Sequence, residues 1–188
     1  MRTKVEAWTL LALVLSACSE PPVPKPRGYF RIDLPPVSYR EWTDSINFQA
    51  QLPDYAKVAR RRTNDAARWY DVRFPEQRAT VHLTWSPVGD RLQDLIEDAH
   101  AFKRTHQSKA AKITGERTLN DSTRVFGTMF TVEGDAASPF VFYVTDSTHN
   151  FLYGALYFDA RPNADSLAPV TARLRSDMRH MLATLRWR

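Results

Sequence analysis

A chain of 188 residues, 43% hydrophobic and 25% charged, has room for one domain with a substantial core and is too apolar to remain disordered. Its formal net charge of +5 is a mild excess, and its single cysteine excludes an internal disulfide, so packing must hold the fold together.

Behind Arg2 and Lys4, Ala7 to Leu15 form an unbroken run without a charge. A bilayer-spanning helix needs about twice that length, so residues 1–17 read as a signal peptide. The run ends in Leu15-Ser16-Ala17-Cys18, which is similar to a bacterial lipobox whose cysteine thiol receives a diacylglycerol. Cleavage would leave Cys18 as the acylated first residue, carrying palmitate-type chains worth about 0.8 kcal/mol per buried CH₂. The expectation is a protein anchored to a membrane without crossing it. Ser19 stands where an aspartate would favour inner-membrane retention, which points to the periplasmic face of the outer membrane. Export also removes the chain from nucleic acid as a partner.

Residues 18–27 contain Pro21, Pro22, Pro24 and Pro26, which disfavour helix and central strand and favour an extended tether. At about 3.1 Å per residue the tether holds the domain up to about 28 Å from the lipid. Residues 28–188 then read as a single globular domain. In Gly28 to Pro36, Phe30, Ile32 and Leu34 alternate with Tyr29, Arg31 and Asp33, the pattern of a half-buried strand stopped by prolines. Arg27, Tyr29 and Arg31 on its polar side are residue types that interfaces favour, which makes them the candidate partner-binding residues.

Further strands are expected at Ile46 to Leu52 and Ala56 to Arg60, followed by the basic Arg60-Arg61-Arg62 and a turn. Arg68 to Phe74 and Ala79 to Trp85 alternate as the arms of a hairpin around Pro75-Glu76-Gln77. Asp90, with Gln93 three residues on, suggests a capping box opening a helix. Its stripe is Leu92, Leu95, Ile96, Ala99 and Phe102, and it ends near Ser108. Arg124 to Glu133, Pro139 to Thr145 and Asn150 to Phe158 are rich in Phe, Val and Tyr and too closely spaced for crossovers, so they form an antiparallel meander. In the last helix Pro169 belongs in the first turn, which selects Ser166 as the cap. Leu167, Val170, Leu174, Met178, Met181 and Leu185 line one face, with Arg175, Arg179 and Arg186 on its flank.

Lys25-Pro26-Arg27-Gly28-Tyr29-Phe30-Arg31-Ile32-Asp33-Leu34-Pro35 after a lipobox resembles the gliding-motility lipoprotein GldD family. Ala79 to Trp85, Leu95 to Ala99 and the run Thr145 to Phe158 agree with it, as does Pro162 to Val170. The resemblance implies a cell-envelope lipoprotein needed for gliding and associated with type IX protein secretion, without a chemical activity. It also implies a pair of cysteines in many relatives near the positions of Ser45 and Arg68. This chain has none there, so packing around Phe48 and Trp69 is expected to replace that staple.

Asp146, Ser147 and His149 supply the residue types of a hydrolase triad, but their closeness in sequence favours a β-turn. The histidines His82, His100, His106, His149 and His180 show no helical i, i+4 or strand i, i+2 pairing, so neither a metal nor a cofactor is expected. The element order is α+β, an antiparallel sheet flanked by two amphipathic helices, similar in order to the PsbP/Mog1-like α-β-α sandwich. The function expected is that of a non-catalytic adaptor or assembly factor whose partners are the membrane, through Cys18, and other gliding and secretion proteins of the envelope. The alternative is an envelope hydrolase using Asp146, Ser147 and His149, which would require those side chains to converge in a pocket.

Overall fold

A computed structural model describes residues 33–44, 47–61, 67–106 and 110–188, and the side chains of all of these except 102–106. Among the described residues the chain forms β1 (Tyr39–Thr43), β2 (Phe48–Pro53), β3 (Lys57–Arg60), β4 (Arg68–Phe74) and β5 (Ala79–Pro87). It continues through α1 (Leu92–His106), β6 (Lys112–Asn120), β7 (Val125–Glu133), β8 (Phe140–Thr145) and β9 (Asn150–Phe158). The last elements are α2 (Ala164–Thr184) and β10 (Arg186–Trp187). The fold is α+β.

Seven strands form an antiparallel sheet in the order β3-β4-β5-β9-β8-β7-β6. β9 closes the sheet by pairing with β5 from Ala79↔Phe158 to Pro87↔Asn150 and with β8 on its other side. The chain therefore leaves the sheet centre after β5, and α1 carries it to the far edge, from which β6 to β9 meander back. A second, three-stranded sheet has the order β1-β2-β10.

Strand alternation gives the large sheet two faces with different partners. Tyr70, Val72 and Phe74 of β4, Val81 and Leu83 of β5 and Leu152 and Leu156 of β9 are buried in one core with Phe48, Ala50 and Leu52 of β2. Val170, Leu174, Met178, Met181 and Leu182 of α2 close that core. Burying each such side chain is worth about 1.5–3 kcal/mol, which makes this face the main source of stability. On the opposite face Leu92, Leu95, Ile96 and Ala99 of α1 pack with Phe151, Tyr143 and Tyr153. Gly154 permits a close strand contact, because a Cβ there would lie 2.2 Å from Cζ of the fully buried Phe142.

Several expectations are corrected. Residues 28–32 lie outside the described residues, and 33–38 have no strand, since Pro35 and Pro36 lack the N–H groups a ladder needs. Leu34 nonetheless packs against the main core. Among the described residues the first strand is β1, which pairs with β2 from Tyr39↔Pro53 to Thr43↔Gln49. β6 extends the meander by a strand, pairing with β7 from Lys112↔Glu133 to Asn120↔Val125. The turn before α1 runs one residue later than a cap at Asp90 requires. Arg91 N–H donates to the Val88 carbonyl, Leu95 N–H to the Arg91 carbonyl, and Gln93 to Glu97 instead of closing a capping box. The expected end of α1 near Ser108 falls outside the described residues.

The cap of α2 is Asn163, whose Oδ1 accepts the Ser166 N–H at 3.1 Å. Pro169 consequently lies inside the helix rather than in its first turn, on the exposed side where the missing hydrogen bond is least costly. Leu185 is buried but follows the helix, and Arg186 belongs to β10. Around Phe48 the packing partners are Trp42, Tyr70 and Trp187, at ring distances of 5.3, 6.1 and 6.3 Å. Trp69 is not among them, because β4 alternation turns it to the other face of the sheet.

Candidate functional site

Asp146, Ser147 and His149 form the connection between β8 and β9. Asp146 Oδ1 accepts the backbone N–H groups of Thr148, His149 and Asn150 at 2.9, 2.7 and 2.9 Å. Its Oδ2 accepts Asn150 Nδ2 at 2.8 Å. Burial disfavours the charged carboxyl, but these donors outweigh it and hold the pKa down at about 2. Ser147 adopts a left-handed φ of 67°, and its N–H donates to Thr145 Oγ1. Trp85 Nε1 donates to Asn150 Oδ1 at 2.9 Å, tying the turn to β5. Ser147 and His149 are exposed, and among the described residues no hydrogen bond joins either side chain to the Asp146 carboxylate. The three residues thus occupy an open turn in which the aspartate organises backbone amides.

A different aspartate is the centre of a second polar cluster. Asp177 on α2 is 0% exposed. Tyr39 Oη donates to its Oδ1 at 2.9 Å, Tyr55 Oη donates to its Oδ2, and Arg173 Nε donates to both oxygens at 3.2 Å. Arg173 continues outward, with Nη1 on the Pro35 carbonyl at 3.0 Å and Nη2 on the Pro36 carbonyl at 3.3 Å. Its guanidinium lies 5.4 Å from the centre of the Tyr55 ring. The Tyr39 ring stacks on His180 at 3.7 Å, and His180 Nε2 meets Gln51 Oε1 at 2.7 Å. Burial and the adjoining Asp177 carboxylate raise the pKa of both tyrosines, so each stays a hydrogen-bond donor. Two turns of α2 therefore hold residues 35–39, β2 and the β2–β3 turn.

Sequence reading missed this cluster because an aspartate in a helix is expected on the wet side. The signal was present in the spacing: at 3.6 residues per turn Asp177 falls about 20° from Val170 and about 40° from Met181, inside the apolar stripe.

On the sheet face opposite α2, Asp71 is 3% exposed and lies 2.7 Å from His82 Nδ1, 3.1 Å from Arg73 and 3.5 Å from Arg61. Burial opposes its charge, and the hydrogen bonds from His82 and Arg73 more than compensate, holding its pKa below the usual range. The arginines expected as a flank on the last helix are separated. Arg179 pairs with Glu116 of β6, with Nε 3.0 Å from the carboxylate, while Arg175 Nη1 donates to Thr131 Oγ1 of β7 at 3.3 Å. Beside Arg175, the first turns of α2 stand off β7 and the loops 134–139 and 159–163 to leave a cavity of about 470 Å³.

Cys18, Arg27, Tyr29 and Arg31 lie outside the described residues. Among the described residues no group of three His, Cys, Asp or Glu could hold a metal ion, and no helix is long and apolar enough to cross a membrane.

The family model for the gliding motility lipoprotein GldD matches residues 19–187. The chain belongs to the GldD lipoprotein family. The match begins directly after Cys18 and runs into β10, so every described element from β1 onward is part of the GldD unit. Both the Asp146 turn and the Asp177 cluster lie within it. Membership of GldD makes this a lipoprotein of gliding motility and places it in the cell envelope as a lipid-anchored protein. No curated protein matches the chain.

Proposed function

We propose that this protein is a non-catalytic adaptor or assembly factor that supports gliding motility and type IX protein secretion. It is anchored by acyl chains on Cys18 at the periplasmic face of the outer membrane, after removal of residues 1–17. The observation that supports this reading best is the Asp177 cluster. It fastens residues 35–39, which follow the proline-rich tether in sequence, to the longest helix of the domain. A domain that presents a surface to partners needs its leading segment fixed to its body, and residues 35–39 are fixed in this way. The Asp146 turn supports the same reading, since its carboxylate is engaged by backbone amides and the Asn150 side chain.

Arg27, Tyr29 and Arg31 are the proposed partner contacts, because their place beside the tether restricts where they sit relative to the lipid. Crosslinking and pull-down of the intact lipoprotein from envelopes tests the proposal. Recovery of gliding or secretion proteins with wild type, and their loss with Tyr29→Ala/Arg31→Ala at normal abundance, is the expected result. Normal gliding and secretion in a strain carrying the stably expressed double variant would remove these residues from the interface. Absence of any such protein from the wild-type pull-down would remove the adaptor reading.

A further inference from the structure

We infer that the cavity beside the first turns of α2 binds an aliphatic monocarboxylate, with the carboxylate on Arg175 and the chain along the small side chains of the groove. This site is independent of the adaptor reading.

The cavity exists because of residue choice on one helix face. From Val170 onward α2 meets the sheet with large apolar side chains, whereas Ala164, Ala168 and Ala172 are too short to reach β7 and the facing loops. Across the gap Ala136, Pro139 and Pro162 are equally short. At about 470 Å³ the space is within the size range of small-molecule sites, which are mostly apolar with a few placed polar groups.

Arg175 supplies the polar group. The other two arginines of α2 each have a carboxylate, Arg173 on Asp177 and Arg179 on Glu116. Arg175 has none within ion-pair distance among the described residues; it makes one hydrogen bond, from Nη1 to Thr131, and since its Nε is enclosed by protein atoms the Nη groups are the donors left to meet a ligand. A guanidinium drawn into an apolar groove without a counter-ion calls for an anion, and its fork geometry suits a carboxylate.

The remainder of the lining narrows the class. Ala164 to Arg175 extends about 16 Å along α2, the scale of an extended medium-length acyl chain. The alanine and proline side chains offer no hydrogen bonds, so a peptide backbone would lose its solvation there, whereas a polymethylene chain loses nothing. A second carboxylate on the far end of a ligand would lie among alanine and proline side chains, with no second cation among the lining residues to meet it, so the site selects a monoanion over a dianion.

The test uses the full lipoprotein in nanodiscs, with empty nanodiscs as the reference for partitioning into lipid. Dodecanoate labelled at its carboxyl carbon is titrated and followed by NMR. A saturable, protein-dependent carboxyl resonance is expected, displaced by unlabelled dodecanoate far better than by dodecanol or dodecanedioate. Arg175→Met should weaken binding about tenfold or more, the loss of a charged hydrogen bond. Ala168→Phe, which fills the groove from an exposed position, should abolish binding while leaving thermal unfolding unchanged. No saturable resonance, equal displacement by dodecanol, or full binding by the well-folded Ala168→Phe variant would each overturn the inference. Should Arg175→Met fail to fold, the Ala168→Phe and dodecanedioate results decide it.

Discussion

Arg173 Nε sits 3.2 Å from both carboxylate oxygens of Asp177, one turn away on the same helix, and the same guanidinium caps the carbonyls of Pro35 and Pro36. The pair is well buried, with side-chain exposures of 13% and 0%. Removing one partner from such a pair leaves the other charge in the protein interior, which costs about 3–5 kcal/mol. Asp177→Ala should therefore lower stability by about that amount in urea unfolding. The double variant Arg173→Met/Asp177→Leu should be less destabilised than the single one, because no uncompensated charge remains. An Asp177→Ala variant with an unchanged urea midpoint would show that the cluster contributes nothing to the attachment of residues 35–39.

The Asp146 turn has a pH signature. Its folded-state pKa of about 2 is below the reference of 3.8, so its contribution is complete above pH 3.8 and disappears as pH falls toward 2. A difference of nearly two units corresponds to about 2 kcal/mol. Asp146→Asn should be less stable than wild type at pH 7 by about that much, with the gap closing between pH 4 and pH 2. Parallel stability curves for the two proteins across that window would rule out this role for the carboxylate.

Gly154→Ala should destabilise by about 1–3 kcal/mol, since its methyl group would overlap the buried Phe142 ring. Phe142→Leu in the same chain should recover part of the loss relative to the sum of the two single changes, readable from thermal unfolding of all four proteins.

Leu174 is 0% exposed at the middle of the α2 stripe. Leu174→Asp places an unpaired carboxylate there, a penalty comparable with the whole stability of a domain, about 5–15 kcal/mol. Expression should yield no cooperatively unfolding protein, whereas Leu174→Met should melt close to wild type.

Cys18→Ser should release the protein from the membrane fraction and abolish incorporation of a fatty-acid analogue. Labelling of the variant equal to wild type would place the acyl chains elsewhere. Recovery of wild type wholly in the inner membrane would reverse the outer-membrane assignment.

Local chemistry made much of this protein legible from its residues. The alternation of Tyr70, Val72 and Phe74 and of Val81 and Leu83 marked the core face of β4 and β5, because side chains on a strand alternate whatever the strand packs against. The stripe Val170, Leu174, Met178 and Met181 marked α2 in the same way, and the blocks shared with GldD lipoproteins identified the family. Asp146 was readable as a turn residue because its acceptors and donors lie within four positions of each other.

Tertiary structure decided the rest. β1 is short and carries no regular apolar alternation, and β2 offers it its ladder, while β10 is two residues that pair with β2 from the other end of the chain. Asp177 takes its meaning from Tyr39 and Tyr55, more than a hundred residues away, which satisfy a carboxylate that would otherwise be excluded from the core. Arg175 and Arg179 look alike on the helix, and only the positions of β6 and β7 give one a carboxylate and leave the other facing a cavity. Periodicity reports which side of an element is apolar, but the pairing of polar groups depends on which distant elements meet, and that is settled only when the chain packs.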